Sequence, residues 1–155
     1  MPADLITNSK PWDMKTIFLN KIKERGGFTC HHAHFDKAYL ISNDNLVLSQ
    51  RDMQDKWRLY RELKKNYTFK DLYERISRAV EKMIEQGVTH CRSFIDADEL
   101  VGSLPLQAAL AVRDDYCHQI HLEFAVQPLE GVLEPQAQKA FVEACKLADI
   151  IGGLP

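Results

Sequence analysis

Short apolar runs and amphipathic helical stretches take turns along this chain, and that alternation restricts its fold more than any other feature. The clearest piece is the stretch 69–86. Phe69, Leu72, Tyr73, Ile76, Val80, Met83 and Ile84 recur at steps of three and four, as on a helix with one apolar face. Thr68 precedes it, with Asp71 three residues on as a short capping box, and Gly87 closes it. Val88 to Ile95 then reads as a compact strand. The pattern repeats: a helix over 104–116 with Pro105 tolerated in its first turn, a strand over 120–126, and a helix opened by Pro135. That last helix turns Ala137, Phe141, Ala144, Cys145 and Ala148 toward a core, and a short apolar strand follows over 149–152. With a first strand over 28–34, the order is strand, helix, strand, helix, strand, helix, strand. Such alternation argues for a parallel sheet with helical crossovers. There is no GxGxxG and no Walker loop, which disfavours a nucleotide-binding sheet.

The beginning of the chain differs from the rest. Residues 1–12 are polar with two prolines and read as an irregular arm. Asp13 is placed to cap a short helix through about Glu24, with Ile17, Phe18 and Ile22 as its apolar stripe and Gly26-Gly27 as its stop. Residues 1–26 are thus expected to form an arm and short helix, and 27–155 the main unit. After the first strand comes a long polar connection, 41–67, with a turn signal at Asn43-Asp44-Asn45. Within it 53–65 reads as helical, with Trp57, Tyr60 and Leu63 as apolar positions. A segment in that place can face substrate, but aromatics at helical spacing are first expected to be core contacts.

A chain of 155 residues buries roughly 70% of its unfolded surface, enough for one domain. The net charge of -2 gives no reason to expect nucleic acid or an anionic membrane as partner. No apolar run approaches the ~18 residues of a membrane span, and the start shows no signal-peptide pattern. The four cysteines, Cys30, Cys91, Cys117 and Cys145, form no CxxC pair. Three of them lie in apolar segments as expected buried thiols, which fits a reducing cytoplasm. Cys117 with His118 and His121 could be drawn as half of a structural zinc site, but no matching second half exists.

The candidate chemistry lies in the stretch from Gly26 to Lys37. Side chains two apart on a strand share a face, so His32 and His34 are placed to hold one metal ion. His31 makes three histidines in four positions, and a hydrogen-bonded surface cluster is the competing reading. A catalytic zinc takes roughly three protein ligands and an open position, and this stretch supplies at most two. Asp96, Asp98 and Glu99 follow the second strand. They could assist a metal or orient a histidine; for Asp98 and Glu99, capping the next helix is expected.

His32-Ala33-His34-Phe35-Asp36-Lys37 resembles the first-strand His-x-His motif of the amidohydrolase superfamily. The trailing Asp and the length of the next helix resemble its cytosine-deaminase branch. Residues 85–96 resemble that branch's second strand, 124–131 its third and 148–155 its fourth, so four ordered motifs cover 27–155. The resemblance implies an α/β fold: the N-terminal half of a (β/α)8 TIM-type barrel, with four parallel strands alternating with helices. It implies a metal-dependent hydrolase of the amidohydrolase or deaminase type, attacking a C–N bond of a small cyclic amide or amine with metal-activated water. One divalent metal ion, zinc or iron, would be held in part by His32 and His34, with Asp36 and Asp96 supporting them from behind. No Lys occurs in 149–155, where two-metal members carry a bridging modified Lys, and this favours one metal.

Where the cytosine-deaminase pattern has a Gln that reads the pyrimidine edge, this chain has Leu129, which cannot donate the same hydrogen bonds. Cytosine is therefore not the expected substrate. Gln127, two residues earlier, is expected either to contact substrate or to bond backbone. Many members also place a small β-sandwich before the first strand, and the helical pattern here cannot supply one. The remaining metal ligands, usually two His and one Asp, and the acid/base groups come from later strands. No catalytic residue is expected within this chain, which is read as part of a longer enzyme and inactive alone. Its open sheet edges would favour self-association. The alternative is a non-catalytic half-barrel acting as an interaction or regulatory module.

Overall fold

The computed structural model describes residues 13–43, 45–49 and 52–153. The expected arm at 1–12 lies outside them, as do Asp44 of the turn signal and the last two residues of the fourth motif.

Helix α1 (Met14–Glu24) starts where its cap demands: the Asp13 carboxylate accepts from the backbone N–H groups of Lys15 and Thr16 at 3.0 and 3.3 Å. The expected stripe is only loosely covered, with Ile17 and Phe18 exposed. Strands β1 (Phe28–Ala33), β2 (Val88–Asp96), β3 (His121–Gln127) and β4 (Ile150–Ile151) form one sheet in the order β1-β2-β3-β4. Every pairing is parallel. Between β1 and β2 run α2 (Leu46–Ser49), α3 (Met53–Lys64) and α4 (Phe69–Glu85); α5 (Leu104–Tyr116) and α6 (Pro135–Cys145) make the later crossovers. This is the expected α/β architecture, part of a (β/α)8 barrel.

The core lies between the sheet and its helices. Leu72, Ile76 and Val80 of α4 are fully buried, as the three- and four-residue steps require. They join Cys91 and Ile95 of β2, Leu122, Phe124 and Val126 of β3, and Leu106 and Val112 of α5. Cys91 is buried, Cys30 and Cys145 are half-buried, Cys117 is exposed, and all four are free thiols.

The opposite face of the sheet is polar along much of its length. The β2–β3 register sets His90 beside His121, Arg92 beside Glu123, Phe94 beside Ala125 and Asp96 beside Gln127. Arg92 Nη2 lies 2.9 Å from Glu123 Oε2, and the two histidine rings are 5.5 Å apart. Among the described residues no helix is long and apolar enough to cross a membrane.

The turn into β1 is a point of close approach. Gly27 has φ +78, and a Cβ there would fall on the Thr89 side chain and within 2.9 Å of the Gly87 carbonyl oxygen. Gly26 has φ +101, but a Cβ on it meets nothing within 4 Å. Gly27→Ala is therefore expected to cost more than the ~1–2 kcal/mol of a left-handed backbone alone, and Gly26→Ala no more than that. Urea unfolding of the two variants side by side checks the difference.

Candidate active site

The two candidate ligands meet for a reason beyond strand alternation. On β1, Cys30 pairs with Cys91 and Ala33 with Ser93, so three steps on one strand match two on its neighbour. This bulge re-aims the residues between. His34 sits just past β1, with φ −136 and ψ 77, ahead of a 3-10 turn at Phe35–Lys37. The Nε2 atoms of His32 and His34 come within 3.1 Å, with ring planes 73° apart. The Phe94 ring of β2 lies against both, at 4.9 and 5.7 Å. His31 points elsewhere and lines a separate cavity with Gly27, His90 and His121.

The turn after His34 is tied down from three sides. Phe35 N donates to Ser93 Oγ at 2.9 Å, and Tyr67 Oη donates to the Asp36 carbonyl at 3.0 Å. Arg75 Nη1 donates to the carbonyls of Asp36 and Ala38 at 2.8 and 3.0 Å, while the rest of its guanidinium holds Asp71.

Behind the histidines lies a buried charge network. Asp96 Oδ1 accepts from Lys37 Nζ at 2.7 Å and from Gln127 Nε2 at 2.8 Å. Its Oδ2 makes an ion pair with Lys64 Nζ at 2.6 Å, and Lys64 Nζ also donates to Asp98 Oδ2 at 2.6 Å. Asp36 accepts from the Asp96 backbone N–H through Oδ2 at 3.1 Å, while its Oδ1 is buried with no hydrogen-bond partner. Burial, reinforced by Asp96, pushes Asp36 up to about 6. Burial also works to raise Asp96, but the ammonium groups of Lys64 and Lys37 outweigh it and hold that carboxyl below the usual range. For Lys64, burial disfavours the charge, and Asp96 and Asp98 overcome it, leaving the amine above its ordinary value.

Two expectations fail here. Asp98 does not cap the next helix: its Oδ1 accepts from Leu100 and Val101 N–H in the turn before it, and its Oδ2 takes Lys64. Glu99 pairs with Arg61 at 3.1 Å. Helix α5 begins after Ser103, which makes no side-chain cap bond. The aromatics of α3 are not core contacts either. Trp57 is 44% exposed, and with Tyr60 it lines a cavity of about 460 Å³ whose walls include His34, Lys37, Gln127 and Leu129. Burying Lys64 against Asp96 seats α3 over the strand ends and turns these rings toward that space. Gln127 likewise bonds a side chain, Asp96, through Nε2; its own carbonyl accepts from Ala97 N–H. Lys37 and Lys64 were given no role from the sequence, and Asp98 was given the wrong one. The available signal was the spacing of Met53, Lys56, Trp57, Tyr60 and Lys64, which share one helical face.

Among the described residues no group of three or more His, Cys, Asp or Glu side chains could hold a metal ion. The imidazole pair does fit half of such a site. A separation of 3.1 Å is close to what two nitrogens, each ~2.0–2.1 Å from one metal, require. Burial, with Lys37 and His32 adding to it, lowers the His34 pKa, which favours the neutral ligating form. His34 Nδ1 is buried without a hydrogen-bond partner, so the atom that would carry its proton lacks an acceptor.

Several solved structures share this arrangement of strands and helices. A 5-methylcytosine deaminase from Klebsiella pneumoniae, liganded with 5-fluorocytosine, superposes with a TM-score of 0.74 at 23% identity, over 82% of this chain and 31% of that one. The shared fold is the run of parallel strands and crossover helices of a partial (β/α)8 barrel. An N-isopropylammelide isopropylaminohydrolase from Burkholderia multivorans gives 0.67 at 23% identity, over 82% and 32%. In sequence, an uncharacterized protein of Haemophilus influenzae is 37% identical over 142 residues, 91% of this chain and 51% of that protein. The chain thus spans about half the length of this curated relative. No protein-family model matches it.

Removing the Lys64 ammonium would leave Asp96 and Asp98 facing each other in a buried site. Lys64→Met is expected to destabilise by ~3–5 kcal/mol. Adding Asp98→Asn should recover part of that loss, and denaturant unfolding of the single and double variants measures both.

Proposed function

We propose that this chain is part of a metal-dependent hydrolase that cleaves a C–N bond of a small cyclic amide or amine. The observation that carries the reading is the His32–His34 pair, its Nε2 atoms 3.1 Å apart, with His34 opening on a cavity beyond the strand ends. Barrel enzymes of this architecture place their chemistry at that end of the sheet. A deaminase and an aminohydrolase among the structural neighbours support the reaction class.

In this reading His32 and His34 contribute two ligands to one divalent ion, zinc or iron. When bound, the ion supplies a water whose pKa falls toward neutrality. Phe94 fixes the ring orientations by packing. Asp96 positions Gln127 by taking its Nε2 hydrogen, which leaves Oε1 to accept from a ring N–H of substrate. Leu129 gives an apolar contact instead of a second donor, so the site selects against ligands that need one. The other ligands and the acid/base groups belong to the rest of a longer protein. Self-association through the outer edges of β1 and β4 is part of the same proposal.

Changing both His32 and His34 to Ala should weaken binding of zinc or ferrous ion by more than the roughly 10–100-fold that loss of an outer-shell partner brings. Calorimetric titration and elemental analysis of the purified protein test this. Metal content unchanged by the double substitution would remove the basis of the reading.

A further inference from the structure

Lys56 is the feature of the cavity that the hydrolase reading does not use. It lines the same space as His34, one helical turn from Tyr60. Its Nζ lies 5.9 Å from the centroid of the Tyr60 ring, and the Lys37 Nζ lies 6.0 Å from the same centroid. The two ammonium groups are not equivalent. Lys37 is neutralised by Asp96 at 2.7 Å. Lys56 has no carboxylate within ion-pair distance among the described residues, although it is half-buried. A cation held partly out of water beside an aromatic face gains from a counter-ion. Asp96 and Asp98 are committed to Lys64, and Glu99 and Glu130 to Arg61.

The rest of the lining suits a flat ring. Trp57 and Tyr60 offer aromatic faces, Met53 and Leu129 offer apolar contact, and Gln127 offers the one oriented amide. A volume of about 460 Å³ is ample for a single ring with a substituent.

We propose that the ligand of this cavity is a planar ring bearing an acidic substituent, with the acid group held by Lys56 and the ring laid against Tyr60 and Trp57. The inference deepens the hydrolase reading, because it assigns a substrate class to the cavity beside the same histidine pair. It separates this site from one made for a neutral pyrimidine, in keeping with Leu129 where a hydrogen-bonding reader would stand.

The probes are nicotinate and nicotinamide, flat rings of nearly equal size that differ in one negative charge. Binding is measured by ligand-observed NMR titration on the whole chain, in EDTA so that metal plays no part. Nicotinate should bind at least about tenfold more tightly, the difference expected for one charge-assisted contact. Lys56→Gln should abolish that preference and Lys56→Arg should keep it. Because the titration is run without metal, a failure of metal binding leaves this result standing. Equal affinity for the two probes, no measurable binding of either, or a preference that persists in Lys56→Gln would overturn the inference. If metal titration succeeds while any of these occurs, the acid-substituted substrate falls and the hydrolase reading does not.

Discussion

One buried carboxylate, Asp96, ties together three elements of this fold that lie far apart in sequence. It receives Lys37 from the turn after β1, Lys64 from α3 and Gln127 from the end of β3, while its own backbone N–H donates to Asp36. Each of these groups would be costly to bury alone. Together they nearly balance. Two ammonium ions face three carboxylates, and Asp36, the one without a lysine in contact, is pushed toward neutrality. The ends of three strands, the turn that carries His34 and the seat of α3 are therefore set by one electrostatic knot.

The consequences reach the cavity directly. Because Lys64 is drawn in beneath α3, the residues one, two and three turns earlier on that helix, Tyr60, Trp57 and Met53, look across the strand ends rather than into the core. Arg61 on the neighbouring face adds an outer tie to Glu99 and Glu130. The wall of the cavity is thus a helix clamped at its C-terminal end. Its residues reach the space beside His34 by packing, not by proximity in sequence.

Local pattern made most of the scaffold legible. The steps of α4 and α6, the caps at Asp13 and Thr68 and the glycine stops all act over a few residues, so both partners stand close together in the chain. His32 and His34 were visible for the same reason. What escaped notice depended on distant partners. Asp98 reads as a helix cap until Lys64, 34 residues away, occupies it. The bulge between Cys30 and Ala33 shows only against the register of β2. Trp57 and Tyr60 read as core positions because helical spacing tells which residues share a face, and not what that face looks at.

The face of the sheet turned away from the helices has a direction. At one end stand His90, His121 and the Arg92–Glu123 pair; at the other stand Phe94, the imidazoles and the Asp96 knot. One end is an exposed ion pair beside two imidazoles; the other is a packed ring with its charges sunk beneath it. Anything laid along this face meets solvated charge at one end and a packed ring at the other, so the face accepts it in one orientation.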